Sequence, residues 1–177
     1  MIPRDRGLDT EMGEPKYARI ERERRWLVDA AQRPALDDAF VTHIVDRYID
    51  GTRMRLRRMD RPDLGETKWK LTKKYDCADA RARPIVTTYL TEPEYELLRV
   101  LPARELVKRR LHFRHRGAYW SLDVFGGALS GLELVECEAP GEAQLTKLEP
   151  PDWVLREVTD WPHWQGGAIA RHGIPED

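Results

Sequence analysis

The sequence has no long apolar run: nowhere do about 18 hydrophobic residues follow one another, so a membrane-spanning helix is excluded. The Met1-Ile2-Pro3-Arg4-Asp5-Arg6 start lacks the apolar core of a signal peptide, and a soluble, cytoplasmic protein is expected. Cysteine is scarce. Cys77 and Cys137 provide neither a metal-ligand spacing nor a disulfide framework, and reduced thiols are expected, with Cys137 suited to packing in a strand. Charge of one sign is missing too, since 30 Lys+Arg face 31 Asp+Glu. A net charge of −1 removes the broad basic field of a non-specific nucleic-acid binder, so any anionic ligand must be held by local charge. The histidines His43, His112, His115, His163 and His172 are scattered without ligand spacing.

What is abundant is charge in total: 34% of residues are ionisable, more than the usual quarter. At 177 residues the chain fits one domain. Residues 1–15, polar and interrupted by Pro3, Gly7, Gly13 and Pro15, are expected to form a flexible leader ahead of a single domain over 16–177. From Tyr17 onward, alternating segments predict about eight strands near 17–28, 41–49, 52–59, 68–75, 85–91, 106–114, 119–125 and 132–139. Asp50-Gly51 and Arg116-Gly117 mark tight turns, and Arg61-Pro62-Asp63 with Gly65 a longer loop, so antiparallel order is expected. Thr91-Glu92-Pro93-Glu94 reads as a capping box over a helix carrying Tyr95, Leu97, Leu98 and Leu101. A short helix is expected after Pro140-Gly141, and one capped by Thr159-Asp160 toward Arg171.

The charges fall at alternate strand positions and sort by sign. Glu21, Glu23 and Arg25 share one strand face. Arg53, Arg55 and Arg57 share another, backed by Met54 and Leu56; Lys68, Lys70, Thr72 and Lys74 share a third, backed by Trp69 and Leu71. Lys108 and Arg110 pair in the same way, Asp123 lies on a face with Tyr119, Ser121 and Phe125, and Leu134, Glu136 and Glu138 oppose Val135 and Cys137. Solvated sheet faces usually intersperse signs, whereas here acids and bases segregate by strand. Turned inward, such faces require a wet, ligand-holding lumen, which a barrel of about eight strands can supply.

These segments resemble the CYTH domain family, the triphosphate tunnel metalloenzymes, over about 17–171. The resemblance rests on Glu21-Arg22-Glu23-Arg24-Arg25, Arg55-Leu56-Arg57, Leu71-Thr72-Lys73-Lys74, Lys108-Arg109-Arg110, Leu122-Asp123-Val124-Phe125, Gly131-Leu132 leading to Glu136-Cys137-Glu138, and Glu157-Val158-Thr159-Asp160. It implies an α+β, mostly β fold: a closed eight-stranded antiparallel tunnel with a few flanking helices. It also implies hydrolysis of a linear triphosphate, inorganic or organic, with Mg²⁺ or Mn²⁺ on Glu21, Glu23, Asp123, Glu136 and Glu138. Arg25, Arg55, Arg57, Lys70, Lys74, Lys108 and Arg110 would then hold the phosphates, with Glu21, Glu23 and Arg25 closest to the chemistry. Hard oxygen ligands suit these ions better than zinc. Five acids against seven cations leave a positive surplus that, with metal ions, matches the about four to five negative charges of a triphosphate.

Two positions depart from the family pattern. Arg25 stands where relatives carry lysine, and arginine cannot serve as a base. The segment Arg83-Pro84-Ile85-Val86-Thr87-Thr88-Tyr89-Leu90 has no carboxylate where many relatives supply more. A triphosphate or polyphosphate binder without turnover is the alternative, and an adenylate cyclase of the same family ranks below both. The expected partner is a triphosphate-containing small molecule rather than nucleic acid or membrane. A homodimer through the outward apolar faces remains open.

Overall fold

The computed structural model describes residues 15–37 and 39–176, so the expected leader lies almost wholly outside the described residues. Nine strands form: β1 (Arg19–Val28), β2 (Phe40–Ile49), β3 (Met54–Arg61), β4 (Glu66–Lys74), β5 (Ala82–Leu90), β6 (Ala103–His115), β7 (Ala118–Phe125), β8 (Glu133–Glu138) and β9 (Val154–Glu157). Three helices accompany them: α1 (Glu92–Arg99), α2 (Glu142–Thr146) and α3 (Gly166–His172). The strand order is β5-β4-β3-β2-β6-β7-β8-β1-β9, and β5 also pairs with β1. Every pairing is antiparallel, so the first eight strands close on themselves. The eight-stranded barrel is thus as expected from the sorting of charges by strand and from the family resemblance, with β9 as an addition.

Closure divides one edge of β1 between two partners. Arg19 to Arg22 pair with β5, whereas Trp26 to Val28 pair with β9. Between them the Arg25 amide donates to Thr159 Oγ1 and the Val158 amide to the Arg25 carbonyl, at 2.9 and 2.8 Å. The backbone groups of this long strand are therefore satisfied as it passes from one neighbour to the other.

Turn chemistry explains the short connections. Arg116 and Gly117 both take positive φ, 48° and 79°, which suits a two-residue hairpin whose twist follows the flanking strands. The stretch around Pro62 is a four-residue loop, longer than the Arg116-Gly117 turn as expected: β3 ends at Arg61 and β4 starts at Glu66. Thr91 caps α1 with the full reciprocal box, its hydroxyl accepting from the Glu94 amide and the Glu94 carboxylate from the Thr91 amide. The last helix corrects the expectation: α3 starts at Gly166 with Gln165 as its N-cap and no side-chain cap, while Thr159 serves β1.

Period-two alternation sends half of each strand outward, and two apolar clusters result. Trp26, Val28, Trp120, Leu122, Val135 and Cys137 form the outer one, covered by Leu36, Leu148 and Trp153. Leu106, Phe125, Leu129, Leu132, Leu134, Val158, Trp164 and Ile169 form the other, where the C-terminal segment plugs one end of the barrel. Leu56 is fully buried, as its outward apolar face required, whereas Met54, expected beside it, lines the interior cavity. Cys77 is exposed and Cys137 buried, both as free thiols. Among the described residues no helix is long and apolar enough to cross a membrane.

Candidate functional site

A cavity of about 810 Å³ runs through the barrel. Into it project the inward positions of six strands: Glu21, Glu23 and Arg25 from β1, Arg55 and Arg57 from β3, Lys70 and Lys74 from β4, Lys108 and Arg110 from β6, Glu136 and Glu138 from β8, and Arg83 and Tyr89 from β5. Eleven of the twelve sequence-nominated residues therefore share one enclosed space. The twelfth, Asp123, is fully buried on the inward face of β7 beneath two lining cations: Lys108 Nζ donates to it at 2.6 Å and Arg110 grips it through Nε and Nη2 at 2.6 and 2.7 Å.

Register brings the acids together. Glu23 sits opposite Glu138 and Arg25 opposite Glu136 across the β1–β8 ladder. One carboxylate oxygen from each of Glu21, Glu23 and Glu138 lies within 4.8 Å of the others. Lys74 Nζ donates to Glu21 at 2.5 Å and approaches Glu23 at 4.0 Å. Burial alone would raise the Glu21 carboxyl, but Lys74 and Arg55 outweigh it and hold it below the usual range. Glu138 behaves in the opposite way: burial and the negative charges of Glu21 and Glu23 push it up, with Arg19 at 3.5 Å too exposed to compensate. Such a trio, all oxygen and with Glu138 short of positive charge, fits a hard divalent cation. Asp123 and Glu136, also nominated as metal ligands, instead spend their oxygens on cations of the wall.

Those cations are fixed rather than loose. Arg25 donates to the Trp164 carbonyl at 2.9 Å, meets Glu136 at 2.7 Å and Glu23 at 3.2 Å. Burial disfavours its charge, yet Glu136 and Glu23 raise it well above the usual arginine value, so it is permanently charged. Arg110 bridges Asp123 and Glu136, reaching the latter at 2.7 Å. Burial would raise Glu136, but Arg25 and Arg110 drive it far below the ordinary range. Lys108 is lowered by burial despite Asp123 beside it.

The sequence reading missed residues on which these side chains depend. Asp46 of β2, with no exposed surface, accepts from Arg57 Nε and Nη2 at 2.6 and 2.7 Å and stands 3.5 Å from Arg55 Nε. Tyr48, also on β2, is half-buried at the plugged end and lines the cavity beneath Gly166 and Gly167, where a Cβ on Gly166 would fall on its hydroxyl. The only signal was inward alternation of Thr42, Ile44, Asp46 and Tyr48, in which a single acid gives no pattern. The carboxylate-free inner face of β5 holds as read, with Arg83, Ile85, Thr87 and Tyr89 toward the cavity.

No family model matches the sequence. An inorganic triphosphatase of Acetivibrio thermocellus is 32% identical over 78 residues, a stretch covering 44% of this chain and 49% of that protein. The chain thus matches about half the length of that curated relative. The crystal structure of the inorganic triphosphatase NE1496 superposes with a TM-score of 0.57 at 25% identity, covering 89% of this chain and 97% of its own. The PH1819 protein of Pyrococcus horikoshii shares the fold alone, with a TM-score of 0.51 at 19% identity over 72% of this chain and 82% of its own. The barrel that these solved structures share carries, in this chain, the Glu-x-Glu strand and the basic strands facing it, the segments on which the resemblance to the CYTH domain, or triphosphate tunnel, family rests.

Proposed function

We propose that the protein hydrolyses a linear triphosphate, bound in the barrel lumen, to diphosphate and phosphate. The observation that carries this reading is the meeting, in one cavity, of a carboxylate trio with arginines and lysines from three other strands. The inorganic triphosphatases of Acetivibrio thermocellus and NE1496 support the same reaction class.

Arg55, Arg57, Lys70, Lys74, Lys108 and Arg110 bind the phosphates in this scheme. Held by Asp46 and Asp123, the cations of β3 and β6 need no reorganisation when charge shifts toward the leaving diphosphate. Water attacks the terminal phosphorus in line with the bridging oxygen, the P–O bond breaks, and the barrel wall keeps bulk water from the rest of the chain. Arg25, locked to Glu136, Glu23 and the Trp164 carbonyl, orients the acid face and takes no proton. A divalent ion on Glu21, Glu23 and Glu138, Mg²⁺ or Mn²⁺ by the hardness of the ligands, would add positive charge against the phosphate oxygens.

Arg25 and the acid-free β5 favour one competing reading, a binder without turnover. Phosphate release from tripolyphosphate, thiamine triphosphate and ATP with Mg²⁺ or Mn²⁺ separates the two. Turnover that falls at least about 100-fold in both Glu21→Gln and Glu138→Gln supports the hydrolase. Tight tripolyphosphate binding with no phosphate released under any metal or pH establishes the binder instead.

A further inference from the structure

Strand β2 contributes no group to the phosphate-binding set, yet its Asp46 is among the most buried ionisable residues, with 0% exposure. A lone carboxylate there would be prohibitively costly. Its cost is offset by two guanidinium groups of the neighbouring strand: register sets Asp46 directly opposite Arg57, and Arg55 lies two residues along on the same face. Arg57 spends Nε and Nη2 on the two Asp46 oxygens, a parallel fork that fixes the plane of the guanidinium. Arg55 Nε faces Asp46 Oδ1 at 3.5 Å. Asp46 thus grips Arg57 by hydrogen bonds and stands beside Arg55 as its countercharge, and both arginines line the cavity.

We infer that Asp46 is a positioning residue of the tunnel, which aims Arg55 and Arg57 at the phosphates; this rests on the triphosphate reading above. An arginine has much rotamer entropy to lose, and a fork to a buried carboxylate pre-orders the group before the ligand arrives. The carboxylate is therefore useful to anion binding although its own charge opposes it.

That opposition supplies the test. If Asp46 were only a countercharge, Asp46→Asn would make the lumen more positive, and KM for tripolyphosphate would fall or stay unchanged. Positioning gives the reverse sign: KM rises about tenfold or more in Asp46→Asn, and kcat does not rise. Asp46→Glu keeps the charge and moves the carboxylate by one methylene, and KM is expected to rise there as well, with thermal unfolding checking that each variant is folded. A folded Asp46→Asn with equal or lower KM overturns the assignment. Arginine Nε–Hε NMR relaxation reads the same point without substrate: Arg55 and Arg57 should gain mobility in either Asp46 variant while Arg25 and Arg110 keep theirs. Unchanged Arg57 order in a variant sinks the inference even if tripolyphosphate proves not to be a substrate. Loss of wild-type turnover and binding, with the Arg57 mobility change present, would instead remove the functional reading and leave Asp46 as the group that orders the arginines.

Discussion

Glu138 shows how one side chain can be unfavourable to the fold and still serve the proposed metal site. Its carboxyl is pushed up by burial and by Glu21 and Glu23, which means that the folded barrel prefers it protonated. For an acid whose folded value lies above its unfolded one, the stabilising contribution is complete at low pH and disappears as pH rises through the folded value. At pH 7 in the absence of metal, the charge of Glu138 therefore works against folding. Glu138→Gln is expected to unfold at a slightly higher temperature than wild type in chelator, by no more than about 1 kcal/mol because its side chain is 56% exposed. Added Mn²⁺ should reverse the order, stabilising wild type and leaving the variant unmoved. A variant less stable than wild type in chelator would show that the trio does not repel itself. Arg25 illustrates the opposite residue type, a cation whose three partners come from β1, β8 and the C-terminal segment, so that its identity is fixed by packing as much as by ligand.

At the scale of elements, α3 is held to the barrel through an absence of side chain. Gly166 and Gly167 let the helix start against the Tyr48 ring, and a methyl at 166 would meet the hydroxyl at 2.1 Å and the Cζ carbon at 3.1 Å. Because Tyr48 belongs to the apolar plug with Leu106, Trp164 and Ile169, it has little room to withdraw. Gly166→Ala should cost about 1–3 kcal/mol in thermal or denaturant unfolding. Tyr48→Phe in the same chain should recover part of that loss, and strictly additive effects would show that the two residues do not touch. The legible elements were those whose signal is local. Alternation in β1, β3, β4 and β8 set the inward faces before any pairing was known, and the Thr91 box fixed the start of α1. Strand β9 was not legible: it spans only Val154–Glu157, behind Pro150 and Pro151, and exists because β1 offers it an open edge. Asp123 was read as a metal ligand and Asp46 not read at all for one reason. A buried acid's partner lies on the adjacent strand, at a register that no single strand displays.

For the whole molecule, the lumen charges would link ligand binding to folding, because the cations proposed to hold phosphate also cross-brace the barrel. Asp46, Asp123 and Glu136 would each be raised by burial, but their arginine and lysine partners take them below the ordinary carboxylate range. A depressed folded value contributes stability that is complete above the unfolded value near pH 4 and is lost as pH falls through the folded one. His112, taken down to about 4 by burial and by Arg110, acts with the same sign at a higher pH, since the unfolded imidazole gains its proton near 6.5. Urea unfolding across pH should therefore show two slopes. From about pH 6.5 to about 4, one proton's worth, up to about 1.4 kcal/mol per pH unit, belongs to His112 and should vanish in His112→Asn. Below about pH 4 the three carboxylates together steepen the fall to as much as about 4 kcal/mol per unit, and Asp123→Asn, although less stable at neutral pH, should lose stability more gently there. A midpoint that stays level down to pH 2 would show that these acids are not held ionised by the wall of cations, and the preordered phosphate cage would lose its physical basis.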